Sequence, residues 1–241
     1  MEPFETAEYF VRLLDKNNKE EVRLVQKLRY DYLLRDFDQS LPEDGLDDDG
    51  FDQYCDSILV IDKKTGDIVG TYRVATLKTM QGNEFKCEEE FDIEELKKDP
   101  DGMVETGRAV VRGDHRKGAA IALLWEGLFK YAEYNNCRYV TGTASLHGVD
   151  PSVHRKCLSI LRASYVHEKF HIRAKKNSFE YNDDKDGTFN DIPSLLKTYL
   201  LLGAKVSENG YIDYDFNSCD VLIIVDMHNL NKRFVQFILK K

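Results

Sequence analysis

The chain has 241 residues, of which 42% are hydrophobic and 32% charged, so it is long enough to bury the core of one large globular domain, 1–241. Its 43 acidic residues outnumber its 34 lysines and arginines, and the formal net charge of −9 argues against a general affinity for nucleic acid or anionic membranes. No apolar run reaches the roughly 18 residues of a membrane span, and the acidic start of the chain is unlike a signal peptide, so we expect a cytoplasmic protein.

The cysteines show neither CxxC nor CxxH spacing, so the sequence indicates neither a zinc site nor a disulfide framework. We expect reduced and mostly buried thiols at Cys55, Cys87, Cys137, Cys157 and Cys219.

The first predicted elements are a strand over residues 8–14 and a helix that starts after Asn17, with a cap and an acidic first turn, and ends near Arg35. The apolar stripe of this helix is formed by Val22, Val25, Leu28 and Tyr32. Three arginines are placed away from that stripe and are expected to face solvent, namely Arg23, Arg29 and Arg35.

An acidic loop spans residues 36–56 and interrupts every periodicity. A solvated loop is one interpretation, and a calcium loop is another, although residues 47–50 (DDDG) lack the alternating ligands of an EF-hand. The third is a loop that holds a cationic amine. Phe51 and Tyr54 lie among the acids, which favours a loop that folds onto the protein.

A hairpin follows, with a strand at 57–62, a turn at 63–66 and a partner strand at 67–75. Arg73 lies inside the second, apolar strand and therefore needs an anionic partner. Glu105 is the predicted partner.

Residues 103–145 read as strand, basic turn, helix and strand, a βαβ unit with parallel strands. The first strand carries Glu105 and Arg108 where a core strand would hold apolar residues. The turn contains Arg112, His115, Arg116, Lys117 and Gly118, and it opens a helix from Ala119 to about Tyr134. Such a turn can bind a phosphate at the helix N-terminus; alternatively its cations only solubilise the turn.

The remaining elements are predicted as helices at 91–98, 151–165 and 192–203, the last with a glycine stop, and a buried strand at 219–226. Residues 167–191 are polar and aperiodic, which predicts a mobile loop or lid. The basic amphipathic tail, 229–241, either packs on its own domain or makes a peripheral contact with the inner face of the membrane.

The order of elements resembles the GNAT acyltransferase fold, a mixed α/β sheet flanked by helices with a splayed strand, here at 103–112. The family's turn usually reads R/Q-x-x-G-x-G/A, whereas this chain reads Arg116-Lys117-Gly118-Ala119-Ala120-Ile121. The shifted glycine disfavours a tight cradle for the pyrophosphate of coenzyme A.

A narrower resemblance is carried by five motifs in order: 51–56 (FDQYCD), 70–73 (GTYR), 105–108 (ETGR), 122–128 (ALLWEGL) and 195–204 (LLKTYLLLGA). These are similar to the bacterial amino-acid N-acyltransferases that make lyso-ornithine and glycine lipids, often labelled haemolysin-like. A looser similarity holds to acyl-homoserine-lactone synthases.

The resemblance implies transfer of a fatty, 3-hydroxylated acyl group from acyl carrier protein to the α-amine of an amino acid, without a permanently bound cofactor. Acyl-CoA is the less favoured donor.

The resemblance also implies roles for individual residues. Glu105 would act on the amine, and Arg73 and Arg108 would hold the acceptor carboxylate or fix Glu105. Asp52 and Asp56 would complement the ammonium or order the loop. Arg112, His115, Arg116, Lys117 and Gly118 would bind the carrier. One alternative is a buried structural ion network formed by Glu105, Arg73, Arg108, Asp52 and Asp56. The others are an acyl-homoserine-lactone-type synthase and an inactive acyl-binding domain.

Glu105 and Arg108 are three residues apart and would point to opposite faces of a regular strand. A common pocket therefore predicts a β-bulge at Thr106 or Gly107.

Overall fold

The computed structural model describes residues 1–37, 41–116, 119–183 and 186–239. Its strands, numbered in chain order, are β1 (Phe4–Glu5), β2 (Tyr9–Leu13), β3 (Asp56–Asp62), β4 (Ile68–Thr76), β5 (Phe91–Asp92), β6 (Met103–Val111), β7 (Tyr139–His147), β8 (Arg173–Ala174), β9 (Ser178–Phe179), β10 (Lys205–Val206), β11 (Gly210–Asp213) and β12 (Ser218–Asp226). Its α-helices are α1 (Lys19–Tyr32), α2 (Leu77–Met80), α3 (Glu94–Lys97), α4 (Ala120–Tyr134), α5 (Arg155–Ser164), α6 (Ser194–Leu202) and α7 (Lys232–Leu239). Within these ranges, no helix combines the length and apolar character needed to cross a membrane.

The chain divides into two compact units, and strand β6 contributes to both. The first unit comprises Met1–Asn83, Thr106–Cys137 and Gln236–Lys241, and the second comprises Glu84–Glu105 and Arg138–Val235. The division within β6 falls at the peptide bond between Glu105 and Thr106.

The first unit is built on the antiparallel strands β1 to β4, with the later part of β6 next to β4. Phe10 pairs with Ile61 across β2 and β3, and Ile58 pairs with Tyr72 across β3 and β4. These strands confirm the predicted hairpin.

Helix α4 packs on β3 and β4 through the apolar face expected from its 3.6-residue period. Leu124, Leu128 and Tyr131 are 3%, 0% and 2% exposed. A Cβ on Gly127 would lie 2.8 Å from Cγ2 of Ile58, so the absence of a side chain allows helix and strand to approach closely. Leu124, Leu128 and Tyr131 recur at helical spacing and form the buried face of the helix.

The second unit is centred on β7 and β12, which pair antiparallel from Tyr139 opposite Asp226 to His147 opposite Ser218. The first residues of β6 pair in parallel with β7, from Met103 opposite Tyr139 to Glu105 opposite Thr141, as the βαβ pattern predicted. Strands β10 and β11 both pair with β12.

Two predictions in the second unit need correction. Residues 91–98 do not form one helix, because Phe91–Asp92 is a strand paired with β8 and the helix covers only Glu94–Lys97. The described part of 167–191 is packed rather than free of structure, since Phe170, Ile172 and Tyr181 are at most 3% exposed. A role of this segment as a lid stays a prediction.

Other predicted details are confirmed. Helix α6 ends at Gly203, whose φ of +108° lies in the left-handed region that favours glycine. All five cysteines are free; Cys137 is half-buried and the others are buried. Mostly antiparallel strands flanked by helices agree with the predicted mixed α/β class.

Candidate active site

The acidic loop folds onto three arginines of the first unit. Arg29 comes from α1, Arg73 from β4 and Arg108 from β6, and their carboxylate partners are Asp47, Asp49 and Asp52. We call these six side chains the arginine–aspartate network.

Arg29 is the most deeply buried arginine of the network, with a side chain 1% exposed. Its Nη1 and Nη2 donate to Oδ1 and Oδ2 of Asp52 over 2.8 and 2.6 Å, and Nη2 also donates to the backbone oxygen of Asp47. The expectation that Arg29 faces solvent was wrong. Arg29 follows Val25 by four residues and therefore lies on the same, buried side of the helix.

Asp49 links the other two arginines. Nη1 of Arg73 donates to its Oδ1 over 2.6 Å, and Nη2 of Arg108 lies 3.3 Å from its Oδ2. Nε of Arg108 also donates to Oδ2 of Asp47 over 2.9 Å. Arg73 was predicted to pair with Glu105, but the carboxylates beside it in its own unit are Asp49 and Asp52.

Electrostatics favour the charged forms of Asp49, Asp52 and Arg73 within this network. Burial by itself would raise the pKa values of Asp49 and Asp52, but the hydrogen bonds from Arg73 and Arg29 outweigh it and keep both pKa values below the ordinary range. Burial by itself would lower the pKa of Arg73, but the hydrogen bond to Asp49 raises the pKa by more. The guanidinium therefore stays protonated. Three arginines thus balance three aspartates, and the solvated-loop interpretation was wrong for this part of the loop.

Asp56 is bound elsewhere in the first unit than Asp52, and its predicted role toward the ammonium stays a prediction. Its Oδ2 accepts a hydrogen bond of 2.8 Å from the hydroxyl of Tyr131, and its Oδ1 lies 3.1 Å from Nζ of Lys16. Asp56 therefore ties β3 to α4.

Glu105 belongs to the second unit and is 6% exposed. Its two oxygens accept backbone N–H groups, Oε2 from Lys86 over 3.1 Å and Oε1 from Cys87 over 2.6 Å. These donors begin the 3-10 turn Lys86–Glu89. The turn fixes the position of both carboxylate oxygens.

The backbone of β6 is irregular close to the predicted bulge. Arg108 has φ +54°, a left-handed conformation that is unusual for a residue with a side chain, whereas Gly107 is not in that region. The irregularity therefore lies one residue beyond the predicted position. That Glu105 and Arg108 serve a common pocket stays a prediction.

The basic turn is less free than its sequence suggested. Arg112 donates from Nε to Asp114 over 2.8 Å and from Nη1 to Asp67 over 3.1 Å, so its charge is neutralised within the protein. Nδ1 of His115 lies 2.9 Å from the hydroxyl of Tyr9. Arg116 is exposed and donates to the backbone oxygens of Val111 and Tyr32. The other predicted carrier contacts, Lys117 and Gly118, lie outside the described residues.

Sequence reasoning missed Arg29 as a site residue and did not single out Asp47 or Asp49. The signal for Arg29 was present, because its position relative to Val25 and Val22 is that of a buried residue. The two aspartates could not be separated from their acidic neighbours by spacing alone.

Known proteins share both sequence and fold with this chain. The Acetyltransferase (GNAT) domain family matches residues 28–126. The L-ornithine N(alpha)-acyltransferase of Agrobacterium fabrum is 31% identical over 91% of this chain and 82% of its own length, and that of Rhodobacter capsulatus is 28% identical over 95% and 94%.

Solved structures show the same fold at low identity. An N-acyl amino acid synthase from uncultured soil microbes matches with a TM-score of 0.54 and 10% identity over 98% of this chain and 99% of its own. A CoA-dependent acyl-homoserine lactone synthase matches with a TM-score of 0.53 and 14% identity over 96% and 95%.

Proposed function

The chain belongs to the L-ornithine N(alpha)-acyltransferase family, and from this we propose that it transfers a fatty, 3-hydroxylated acyl group from acyl carrier protein to the α-amine of ornithine. The observation that carries the proposal is the similarity, along nearly the whole chain, to relatives named L-ornithine N(alpha)-acyltransferase; the carrier donor and the 3-hydroxyl group come from the motif resemblance. The buried Glu105 and the arginine–aspartate network add support from the structure.

The reaction joins the acceptor nitrogen to the acyl carbon. The lone pair of the α-amine attacks the thioester carbonyl, the C–N bond forms, the C–S bond breaks, and the thiolate takes up a proton. An α-amine has a pKa of about 8, so it must lose a proton before or during the attack.

We assign the removal of that proton to Glu105. An ordinary glutamate, with a pKa of about 4.3, is a weak base for such an amine. Glu105 would therefore orient the amine and accept its proton through a water molecule. The N–H groups of Lys86 and Cys87 support this role because they hold both oxygens in place.

We assign the acceptor carboxylate to Arg108. Its side chain is 18% exposed, against 5% for Arg73 and 1% for Arg29, so it is the most accessible arginine of the network. Arg73 would act through Asp49, which both arginines contact, and is therefore a positioning residue. Asp52 would keep the loop in place through Arg29.

The donor assignment rests on the basic turn and the departure from the coenzyme A motif. Acyl carrier protein is acidic and offers a single phosphodiester, which a small group of cations can bind. Arg116 is the exposed described cation of this turn, and Arg112, His115, Lys117 and Gly118 complete the proposed contact. Acyl-CoA stays the alternative donor.

We propose that the protein works in the cytoplasm, with its tail at the inner face of the membrane. Helix α7 carries Phe237, which is 55% exposed, together with the exposed Lys232 and Arg233. A basic helix with an exposed aromatic side chain suits an anionic lipid surface.

The deciding experiment measures free thiol released from acyl carrier protein by the purified protein, with and without ornithine, and identifies the product by mass spectrometry. We expect release only with both substrates, and faster release with the 3-hydroxyacyl carrier than with 3-hydroxyacyl-CoA. Release without an amino acid, release only with S-adenosylmethionine, or no release with any amine would each contradict the proposal.

A further inference from the structure

Three carboxylates of the second unit meet at one point. Glu90 follows the 3-10 turn Lys86–Glu89, Asp213 ends strand β11, and Asp220 lies in β12 opposite Tyr211. One oxygen from each lies within 4.8 Å of the other two. We call this group the carboxylate trio.

Two members of the trio are buried and incompletely bonded. Glu90 is 7% exposed and Asp220 is 2% exposed. Among the described residues, Oε2 of Glu90 and Oδ1 of Asp220 have no hydrogen-bond partner. A buried carboxylate oxygen without a partner is costly, so the trio is arranged for a group that the protein alone does not supply.

Charge supports the same interpretation. Burial and, after it, the charges of Asp220, Asp213 and Glu89 together raise the pKa of Glu90 to about 9, against the opposing charge of Lys86. Burial and Asp213 raise the pKa of Asp220 to about 6, although Ser218 and Ser145 act in the other direction. In the arginine–aspartate network each acid meets a guanidinium. At the trio, among the described residues, the charge of Lys86 does not offset burial and the neighbouring carboxylates.

The trio is connected to Glu105 through a single turn. The N–H of Cys87 donates to Glu105, and the N–H of Glu90 donates to the backbone oxygen of Cys87 over 3.2 Å. Both carboxylates also raise the pKa of the buried Cys87 thiol, after burial itself, so both lie close to it. Asp213 is half-buried and gives the trio a side that solvent can reach.

We propose that the carboxylate trio binds the side-chain ammonium of a diamino acid acceptor. The inference rests on the proposed function, in which Glu105 acts on the α-amine of that acceptor. An alkylammonium has three N–H donors in a tetrahedral arrangement. At N···O distances of about 2.8 Å, its acceptors lie about 4.6 Å apart, which is inside the 4.8 Å limit on the separations of the trio's oxygens.

The test compares ornithine with norvaline, which has the same carbon chain without the side-chain amine. The variants are Glu90→Gln and Asp220→Asn, which keep the shape of each side chain. Glu89→Gln is the matched control, because Glu89 is the neighbouring carboxylate but its side chain is 50% exposed. Acyl transfer is measured with each amine.

We expect the KM for ornithine to rise about tenfold or more in Glu90→Gln and Asp220→Asn, which is the loss expected for a hydrogen bond between charged groups. The KM for norvaline should change little, and Glu89→Gln should behave like the wild type. An equal loss with both amines would mean that the trio only supports the fold, and would overturn the inference.

Binding without the acyl donor separates this inference from the proposed function. Ornithine should raise the melting temperature of the wild type more than norvaline does, and Glu90→Gln should remove that difference. If this holds while no amine is acylated, only the proposed reaction fails. If ornithine and norvaline give the same shift in the wild type, the trio does not bind the ammonium.

A divalent metal ion is the competing occupant, since carboxylate oxygens also suit Mg²⁺ and Ca²⁺. The wild type is therefore treated with a chelator and then with each ion. Loss of the ornithine preference on chelation and its return with the ion, in the wild type but not in Glu90→Gln, would overturn the ammonium proposal.

Discussion

Arg29 and Asp52 form a buried, bidentate ion pair, with Nη1–Oδ1 and Nη2–Oδ2 distances of 2.8 and 2.6 Å. Replacing Arg29 by Met should lower the free energy of unfolding by about 3 to 5 kcal/mol, because it leaves Asp52 charged and without its main partner. Urea unfolding measures the loss. Arg23→Met, at an exposed position of the same helix, should change it by less than about 0.5 kcal/mol. Equal effects of the two substitutions would mean that the pair is not structural.

Glu90 should make the folded protein less stable as the pH rises. Its pKa is about 9 in the folded protein and about 4.3 in an unfolded chain, so over that interval the folded state retains a proton that the unfolded state has released. Glu90→Gln has no such proton. The melting temperature of Glu90→Gln minus that of the wild type should therefore increase from about pH 5 to pH 9 and then level off. The exposed Glu89→Gln should show a flat difference; a flat difference for Glu90→Gln as well would contradict the raised pKa.

Glu105→Gln should lower the turnover number about 100-fold or more while the fold is retained, because it removes the proton acceptor and preserves the shape. Glu88→Gln is a close control. Glu88 is also 6% exposed, and it also accepts a backbone N–H, that of Phe85 over 2.8 Å. Steady-state rates and melting curves of both variants decide the matter. A near-normal rate for Glu105→Gln, or an equal loss for Glu88→Gln, would remove Glu105 from the mechanism.

Reversing the charge of Arg116 should weaken binding of the carrier. In Arg116→Glu the KM for acyl carrier protein should rise, with a smaller change for a short pantetheine thioester, because only the carrier presents an acidic surface. Raising the salt concentration should weaken carrier binding by the wild type, since exposed charges are screened beyond about 8 Å at physiological ionic strength. Lys98→Glu, at a side chain 73% exposed, controls for net charge. Similar losses with both donors would argue against docking at this turn.

Leu124→Ala should lower the free energy of unfolding by about 2 to 5 kcal/mol, because a side chain only 3% exposed leaves a cavity between α4 and the sheet. Ile121→Ala lies on the same helix at 44% exposure and should cost less than about 1 kcal/mol. Chemical unfolding of the two variants should therefore distinguish the buried face of the helix, at Leu124, from its exposed face, at Ile121.

The fold was predictable where apolar period and turn chemistry agree. Leu124, Leu128 and Tyr131 follow the helical period and are buried, and Gly203 ends its helix as expected. The charged pairs of the candidate site were harder to predict, because each arginine pairs with aspartates that lie far from it in the sequence. Asp49, for example, reaches Arg73 from a loop whose fold no local pattern specifies.

The carboxylate trio illustrates the same limit. Glu90, Asp213 and Asp220 lie in separate elements and show no common spacing, so only the pairing of β11 with β12 and the position of the turn before β5 bring them together. Arg108, where the backbone of β6 is irregular, likewise pairs with an aspartate that lies outside the sequence of β6.

The equal number of arginines and aspartates in the network limits how the sequence can change over evolution. Loss of one member leaves an unbalanced charge inside the protein, whereas loss of an arginine together with its aspartate leaves neutrality intact. Arg29 and Asp52 are 23 residues apart and belong to a helix and a loop, so neither position signals the other locally. We therefore expect proteins that descend from this sequence either to keep both residues or to replace both.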